Sequence, residues 1–323
     1  MKTAIVTASW DQDFERCKLL CETVDKYTTG FTKHYILVES KDVALFRQLE
    51  SSRRIIIDER DLLPSWLHAF WDPTHLWRRR IWLSLKTKPL RGWHVQQLRR
   101  IALAGIVEED AFFYTDSDVV FLRPFDCNRL WQKDRLRLFI RPGEIATSKI
   151  PDHEIWAANT DKLLGVTGTE NAENDYIGTL IAWRRDSILG MCAHIEQRAG
   201  VHWVKALGDM RRFSECILYG RYVDDILKGA GHFHDTGDLC RVYWFSPPPR
   251  KTNSALSLPG WSRIRSPSAC NLSSAFRSMI SGASSIFETK AHWNIWQVSL
   301  SSTAYFNHLF SIKKYSHASS WYS

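Results

Sequence analysis

Asp116 and Asp118 stand two residues apart, with Ser117 between them, after the apolar run Phe112, Phe113, Tyr114 and before a second apolar run from Val119 to Leu122. In extended backbone, residues two apart project to the same side, so both carboxylates can address one point in space. Such oxygen ligands suit a hard divalent cation. Magnesium, and manganese by the same preference, is held by one or two carboxylates while water and substrate phosphates complete the shell. The chemistry on offer is capture of a nucleoside diphosphate through its metal, with Asp116 and Asp118 as metal ligands and Asp116 and Ser117 beside the nucleotide. Paired aspartates after a strand also suit a solvated turn, so the triplet needs support from the rest of the chain.

That support comes from the order of elements. Residues 3 to 8 read as a short strand, followed by a helical pattern carrying Phe14, Cys17, Leu20, Cys21 and Val24, and then by a strand over Tyr35 to Val38. A strand-helix-strand unit implies a parallel sheet, because the crossover helix returns the chain in the same direction. Ligands of such sheets bind outside the carboxyl ends of the strands, which places Thr7, Ala8, Ser9 and Asp11 at a nucleotide pocket. No glycine-rich fingerprint accompanies them, so a classical dinucleotide fold or phosphate loop is unsupported. A helix over Val43 to Leu49 and a strand over Ile55 to Ile57 follow, and the acidic cluster Asp58, Glu59, Asp61 reads as a solvated loop paired with Arg60. Residues 65 to 91, dense in Trp, His, Arg and Lys, read as loop or irregular helix: a lid or acceptor-binding wall, or a helix packed by its tryptophans with arginines in water. Gly92 opens a helix from Trp93 to Ala104 whose polar residues Gln96, Arg99 and Arg100 lie off the apolar face, where one of them can point at a diphosphate or sugar. The paired aspartates then fall at the carboxyl end of the next strand, where an α/β sheet binds its ligand.

The 323-residue chain is long enough for a substantial core, and its 44% hydrophobic and 24% charged residues are ordinary for a globular protein rather than a disordered one. The net charge of +8 favours anionic partners: a nucleotide, a lipid phosphate or nucleic acid. The first residues are too short an apolar run for a signal-peptide core, and no stretch reaches the length of a membrane span, so the expected location is the cytoplasm, with the inner membrane face as a peripheral contact. The seven scattered cysteines contain no Cys-x-x-Cys pair. Cys17 and Cys21 can touch on one helix, and buried free thiols are expected.

Residues 92–102 followed by 114–125 resemble a bacterial family of proteins similar to GT-A-type glycosyltransferases. Residues 3–9, 61–64, 174–178 and above all 214–220 extend the resemblance over roughly 1 to 249. It implies a GT-A-like α/β fold, with a mainly parallel central sheet flanked by helices, that binds a nucleotide-diphospho-sugar through Mn2+ or Mg2+ on Asp116 and Asp118. The implied reaction is metal-dependent transfer of a sugar to an acceptor such as a cell-surface glycan or its lipid-linked precursor. In that picture Asn174 and Asp175 border the acceptor, Glu215 faces the sugar, Glu215 or Asp175 takes the acceptor's proton if the reaction inverts, and His232 or His234 supplies a third metal ligand. Ser214 offers the N-cap of the helix that begins with Glu215, and the helix dipole alone also accounts for a carboxylate there. Cys216 departs from the pattern, which has an aromatic at that place. The strand bordering the acceptor is expected over Tyr176 to Trp183, and an extended segment over Val242 to Pro249 closes the domain. Beyond it, residues 250–323 are serine-rich, with Glu288 as the one acid, and have no assignable fold; they read as a membrane-surface or partner-binding extension, a poorly ordered tail or a drifted reading frame. The rival function is non-catalytic binding of nucleic acid or anionic lipid through residues 66–91, whereas a glycosyltransferase has no need of nucleic acid.

Overall fold

The computed structural model describes residues 1–148 and 150–240, and the backbone of residues 296–297. In chain order its main elements are β1 (Thr3–Ala8), α1 (Phe14–Tyr27), β2 (His34–Val38), β3 (Arg54–Asp58), β4 (His68–Trp71), β5 (Arg80–Leu83), β6 (Leu90–Arg91) and α2 (Gly92–Ala102). There follow β7 (Ala111–Tyr114), β8 (Val119–Val120), β9 (Arg135–Phe139), α3 (Pro151–Leu164), β10 (Ile181–Arg184), α4 (Arg185–Ala199), α5 (Trp203–Met210), α6 (Glu215–Arg221), β11 (His232–Asp235) and β12 (Trp296–Gln297). The central sheet has the order β10-β7-β1-β2-β3. Its β7, β1, β2 and β3 are parallel, and β10 closes the edge antiparallel to β7. The architecture is therefore mixed α/β, with a mainly parallel sheet flanked by helices.

Strand alternation divides the core. Ala4, Val6 and Ala8 of β1 face one way, with Phe112 and Tyr114 of β7, and meet Val95, Leu98 and Ile101 of α2 together with the apolar residues of α4, α5 and α6. Ile5, Ala111 and Phe113 face the other way onto Leu20 and Val24 of α1. Cys17 and Cys21 on α1 are buried free thiols. A run of rings crosses the first of these layers: Tyr114 lies 4.6 Å from Trp183, Trp183 stacks on Tyr219 at 4.9 Å, and Tyr219 meets His232 edge-on at 5.8 Å.

Two of the sequence motifs meet here. The ring of Tyr176 lies against α6 where Gly220 leaves room, and a Cβ at 220 would overlap the ring. The Tyr176 hydroxyl meanwhile donates to Asp224 at 2.7 Å. Gly220→Ala is therefore expected to destabilise the fold by about 2–3 kcal/mol, as overpacking of a close-packed core does, despite alanine's better helix propensity. Chemical denaturation with an unchanged m-value would measure it; equal midpoints would show that the ring can move aside.

The structure departs from the sequence reading in several places. Residues 65 to 91 are loop only in part, with one short helical turn at Pro73–His75: β4, β5 and β6 form an antiparallel sheet in which Ala69 pairs with Trp82 and Ile81 with Arg91. Alternation had been hidden because aromatic and basic residues occupy both faces. The strand expected over Tyr176 to Trp183 begins only at Ile181, since Asp175 accepts the Ile177 amide at 2.8 Å and turns the chain there. Glu59 is 3% exposed, not part of a solvated loop, although Asp58 and Arg60 do pair at 2.6 Å. The extended segment at 242–249 and the domain boundary at 249/250 lie outside the described residues, as does the extension beyond it apart from β12, which pairs antiparallel with β8. Among the described residues no helix is long and apolar enough to cross a membrane.

Candidate active site

The strand order reverses between β1 and β7: the chain leaves β1 for its neighbour β2 on one side and returns to β7 on the other. Open α/β sheets bind ligands at such a switch point, outside the carboxyl ends. Residues Ser9 to Asp13 follow β1 there, and Asp116 to Asp118 follow β7. Ser117, 6% exposed, donates to Asp13 at 3.3 Å across the gap. Asp13 also accepts from the Trp10 indole at 2.9 Å and pairs with Arg16 at 2.7 Å. Asp13 was not singled out by its sequence context, where it reads as one more acid at a helix start.

The backbone of the aspartate pair is not extended. Strand β7 stops at Tyr114, and the Val119 amide donates to the Asp116 carbonyl at 3.2 Å, closing a turn. Both carboxylates are half-buried on that turn, so their shared location rests on turn geometry and not on strand alternation.

Helix α2 supplies the next groups from one stripe, since residues 93, 97 and 100 are spaced i, i+4, i+7. Arg100 bridges two acids: Nη2 donates to Asp116 at 2.6 Å and Nη1 to Glu215 at 3.1 Å, while Nε has no hydrogen-bond partner. Burial works against the guanidinium charge, but the Asp116 and Glu215 carboxylates outweigh it and strengthen its hold on the proton. Burial raises the pKa of Glu215, and Arg100 offsets this in part. Gln97 accepts the Glu215 amide at 2.9 Å and so caps the first turn of α6. Ser214 occupies the expected N-cap position without a side-chain cap, and Gln96 is not the glutamine that makes this contact. Arg99, 4% exposed, points elsewhere, 3.9 Å from Glu59.

Cys216 sits among these acids. Its thiol pKa is pushed up by burial first and Glu215 second, against Arg100, with Asp175 and Asp116 adding to the rise. The absent aromatic therefore leaves a small, neutral group between carboxylates. Asp175 is 2% exposed, with its pKa raised by burial and held back chiefly by the Ile177 amide, and it lies 3.6 Å from His153. His153 packs on Trp156, which stacks on Trp93 at 5.4 Å, so half-buried indoles flank this end of the site.

Other predicted residues go elsewhere. Thr7 is fully buried and its hydroxyl meets His34 at 3.0 Å, and Ala8 and Ser9 are also buried. Asp11 is exposed and pairs with Lys41 at 3.2 Å. Lys41 in turn holds Asp42 at 2.7 Å near Glu39, whose pKa burial pushes up to about 7 against Lys41 and Arg99. His232 spends both ring nitrogens internally, on the Ala230 carbonyl and on Tyr219, each at 2.8 Å; its Nδ1–H donates to the carbonyl, so Nε2 accepts the tyrosine proton. His234 binds Asp224 at 2.8 Å. His232 therefore has no ring nitrogen left for a metal, while His234 is half exposed with one nitrogen engaged by Asp224. Among the described residues no group of three His, Cys, Asp or Glu side chains gathers in a metal-binding arrangement. An apolar groove of about 300 Å3, with Leu63, Ile101, Leu189, Cys192 and Trp203 in its wall, contains none of the acids above.

The side chains on the switch-point turn fit a hard cation by chemistry, because the donors are all oxygen and the Asp116 carboxylate is 40% exposed. Arg100 already takes one of its oxygens.

No curated protein matches the chain significantly. A crystal structure of an active-site mutant of LgtC is similar at 14% identity, covering 92% of this chain and 87% of that one with a TM-score of 0.42, too low to carry an argument about function. A model of a family of unknown function, DUF6492, matches residues 3–258.

Proposed function

The chain belongs to the DUF6492 family of unknown function, so its activity must be read from its own site, and we propose that it is a metal-dependent glycosyltransferase acting on a nucleotide-diphospho-sugar. The observation that carries this reading is the Asp116–Arg100–Glu215 bridge beside the switch point of a parallel sheet. It sets a cation-binding carboxylate, a buried guanidinium with an unused N–H and a carboxylate of raised pKa side by side. Asp116 and Asp118 would hold Mn2+ or Mg2+, which when bound supplies Lewis-acid neutralisation of the diphosphate leaving group. Arg100 adds a fixed positive charge at the same place, worth most where water is excluded.

If the transfer inverts, Glu215 would accept the acceptor's proton, a role supported by its pKa raised by burial. Asp175 acts as a positioning residue, fixing the turn that carries Tyr176 and packing toward His153. The half-buried faces of Trp93 and Trp156 offer the apolar surface on which a sugar ring rests. Thr7, Ala8 and Ser9 are buried at the β1 end and shape it from beneath, and the exposed groups there that can meet a nucleoside are those around Asp11 and Asp13.

A thermal-shift screen of nucleotide-diphospho-sugars with and without manganese tests the reading. A ligand at a hundred times its Kd adds about 2.7 kcal/mol, which for a domain of this size is a shift of roughly 5–10 °C that requires both metal and nucleotide-sugar. Shifts indifferent to manganese, or to the sugar half of the ligand, would count against it.

A further inference from the structure

The three-stranded β4-β5-β6 sheet has two unlike faces. Ala69 and Trp82 point inward to the core, whereas Phe70, paired with Ile81, and Leu83 point outward and are 50% and 37% exposed for the first and last. Between β4 and β5 the chain makes a tight excursion whose tip carries Leu76 and Trp77, 74% and 64% exposed. Both have left-handed backbone, with φ of +52° and +60°, which costs energy in residues other than glycine. They are held there by Asp72, which is 1% exposed. Its carboxylate accepts from the Thr74 amide at 2.9 Å and hydroxyl at 2.6 Å and lies 2.9 Å from His75, and its carbonyl accepts the Trp77 amide at 3.0 Å. A built turn is thus used to hold two large apolar side chains out in water.

Along this stretch of chain the exposed charge is of one sign, with Arg80 also facing Glu59 and Arg91 reaching Asp72 at 3.7 Å. From residue 66 to 91 the cations are Arg78, Arg79, Arg80, Lys86, Lys88 and Arg91, and Asp72, the one acid, is buried in the turn. Apolar patches with polar rims mark interaction surfaces, and tryptophan and leucine ringed by arginine and lysine match the interfacial zone of a bilayer. A nucleic-acid backbone would answer the cations but leave Leu76 and the Phe70–Ile81 face in water. We infer that this sheet and its tip dock the protein on an anionic lipid bilayer surface, with Leu76 and Trp77 entering the headgroup region and the surrounding cations meeting lipid phosphates. The docking holds whatever reaction Asp116 and Asp118 serve, and its test uses no nucleotide-sugar.

The full chain is to be sedimented with vesicles of phosphatidylcholine alone and of phosphatidylcholine mixed with phosphatidylglycerol. Each cation near an anionic leaflet is worth about fivefold in partition, so the mixed vesicles should bind at least tenfold more protein, less as salt rises. The double variant L76S/W77S, altered at exposed positions, should melt as the wild type does and lose about tenfold or more of that partition. Arg78→Glu should erase the excess binding to mixed over neutral vesicles by several fold. Equal partition of wild type and L76S/W77S would overturn the inference. So would equal binding to the two vesicle types, or salt-sensitive binding to single-stranded RNA without binding to vesicles.

Discussion

Replacing Asp116 or Asp118 by alanine is expected to lower metal-dependent turnover of a nucleotide-diphospho-sugar about a thousandfold, roughly 4 kcal/mol of transition-state stabilisation. The fold should survive. Asp116 is 40% exposed, and such partly exposed ion pairs contribute about 0–1 kcal/mol. Asp116→Asn separates the two roles of this residue, because an amide oxygen still accepts from Arg100 while the charge is gone. If the carboxylate serves only to hold Arg100 by a hydrogen bond, the asparagine variant keeps its activity; if it holds the cation, the variant falls with the alanine. Full turnover in both alanine variants, measured on protein with unaltered circular dichroism and melting, would remove the proposed mechanism.

The second large effect is on stability. Arg100→Leu removes the one guanidinium shared by Asp116 and Glu215, leaving the Glu215 side chain, 8% exposed, as an uncompensated buried acid. Breaking a buried pair from one side costs about 3–5 kcal/mol at neutral pH, and a domain of this size would lose roughly 10 °C in melting temperature. The sign of the pH dependence follows from the direction of the shift. Burial raises the pKa of Glu215 and Arg100 holds it back, so in the variant it rises further above its unfolded value. The folded variant then binds more protons than the unfolded chain, and its stability falls as pH rises through the window between those two values. The deficit against wild type should therefore be smallest at acid pH, below the ordinary glutamate pKa of about 4.3, and largest at pH values well above the folded value. Urea titrations across that range would measure it. A deficit independent of pH would mean that lost packing, not uncovered charge, is what the substitution costs.

Much of this was legible from residue types alone because burial and chain order leave a strong imprint. The strand-helix-strand opening, the apolar β7 ending on acids and the helix after Gly92 are readable from periodicity. Together they bring Asp116 and Arg100 to one end of the sheet, where α6 adds Glu215. What escaped depends on facts of rotation and partner choice. Arg99 and Arg100 are neighbours in a helix, about 100° apart, and only the packed helix decides that Arg100 meets Asp116 while Arg99 faces Glu59. The same rotation makes Gln97, not Gln96, the cap for Glu215. Asp13 reads as a surface acid until the fold carries it beside Ser117. The environment of His232 escaped for a different reason: a His-x-His pair looks available to a metal, and the buried tyrosine that engages His232 lies thirteen residues upstream.

The ring contacts running from Tyr114 through Trp183 to Tyr219 bear on how the cleft can move. Tyr114 precedes Asp116 by two residues, and Tyr219 follows Glu215 by one helical turn, so the rings clamp the two jaws that carry these acids. That wall is a fixed anvil. The opposite lip carries Trp10, Asp11 and Asp13, touches the anvil through Ser117, and is itself held by pairs to Lys41 and Arg16. The spacing of the two acids is accordingly tied to the packing of these rings, so a change of ring volume at Trp183 is expected to shift that spacing together with the stability of the core.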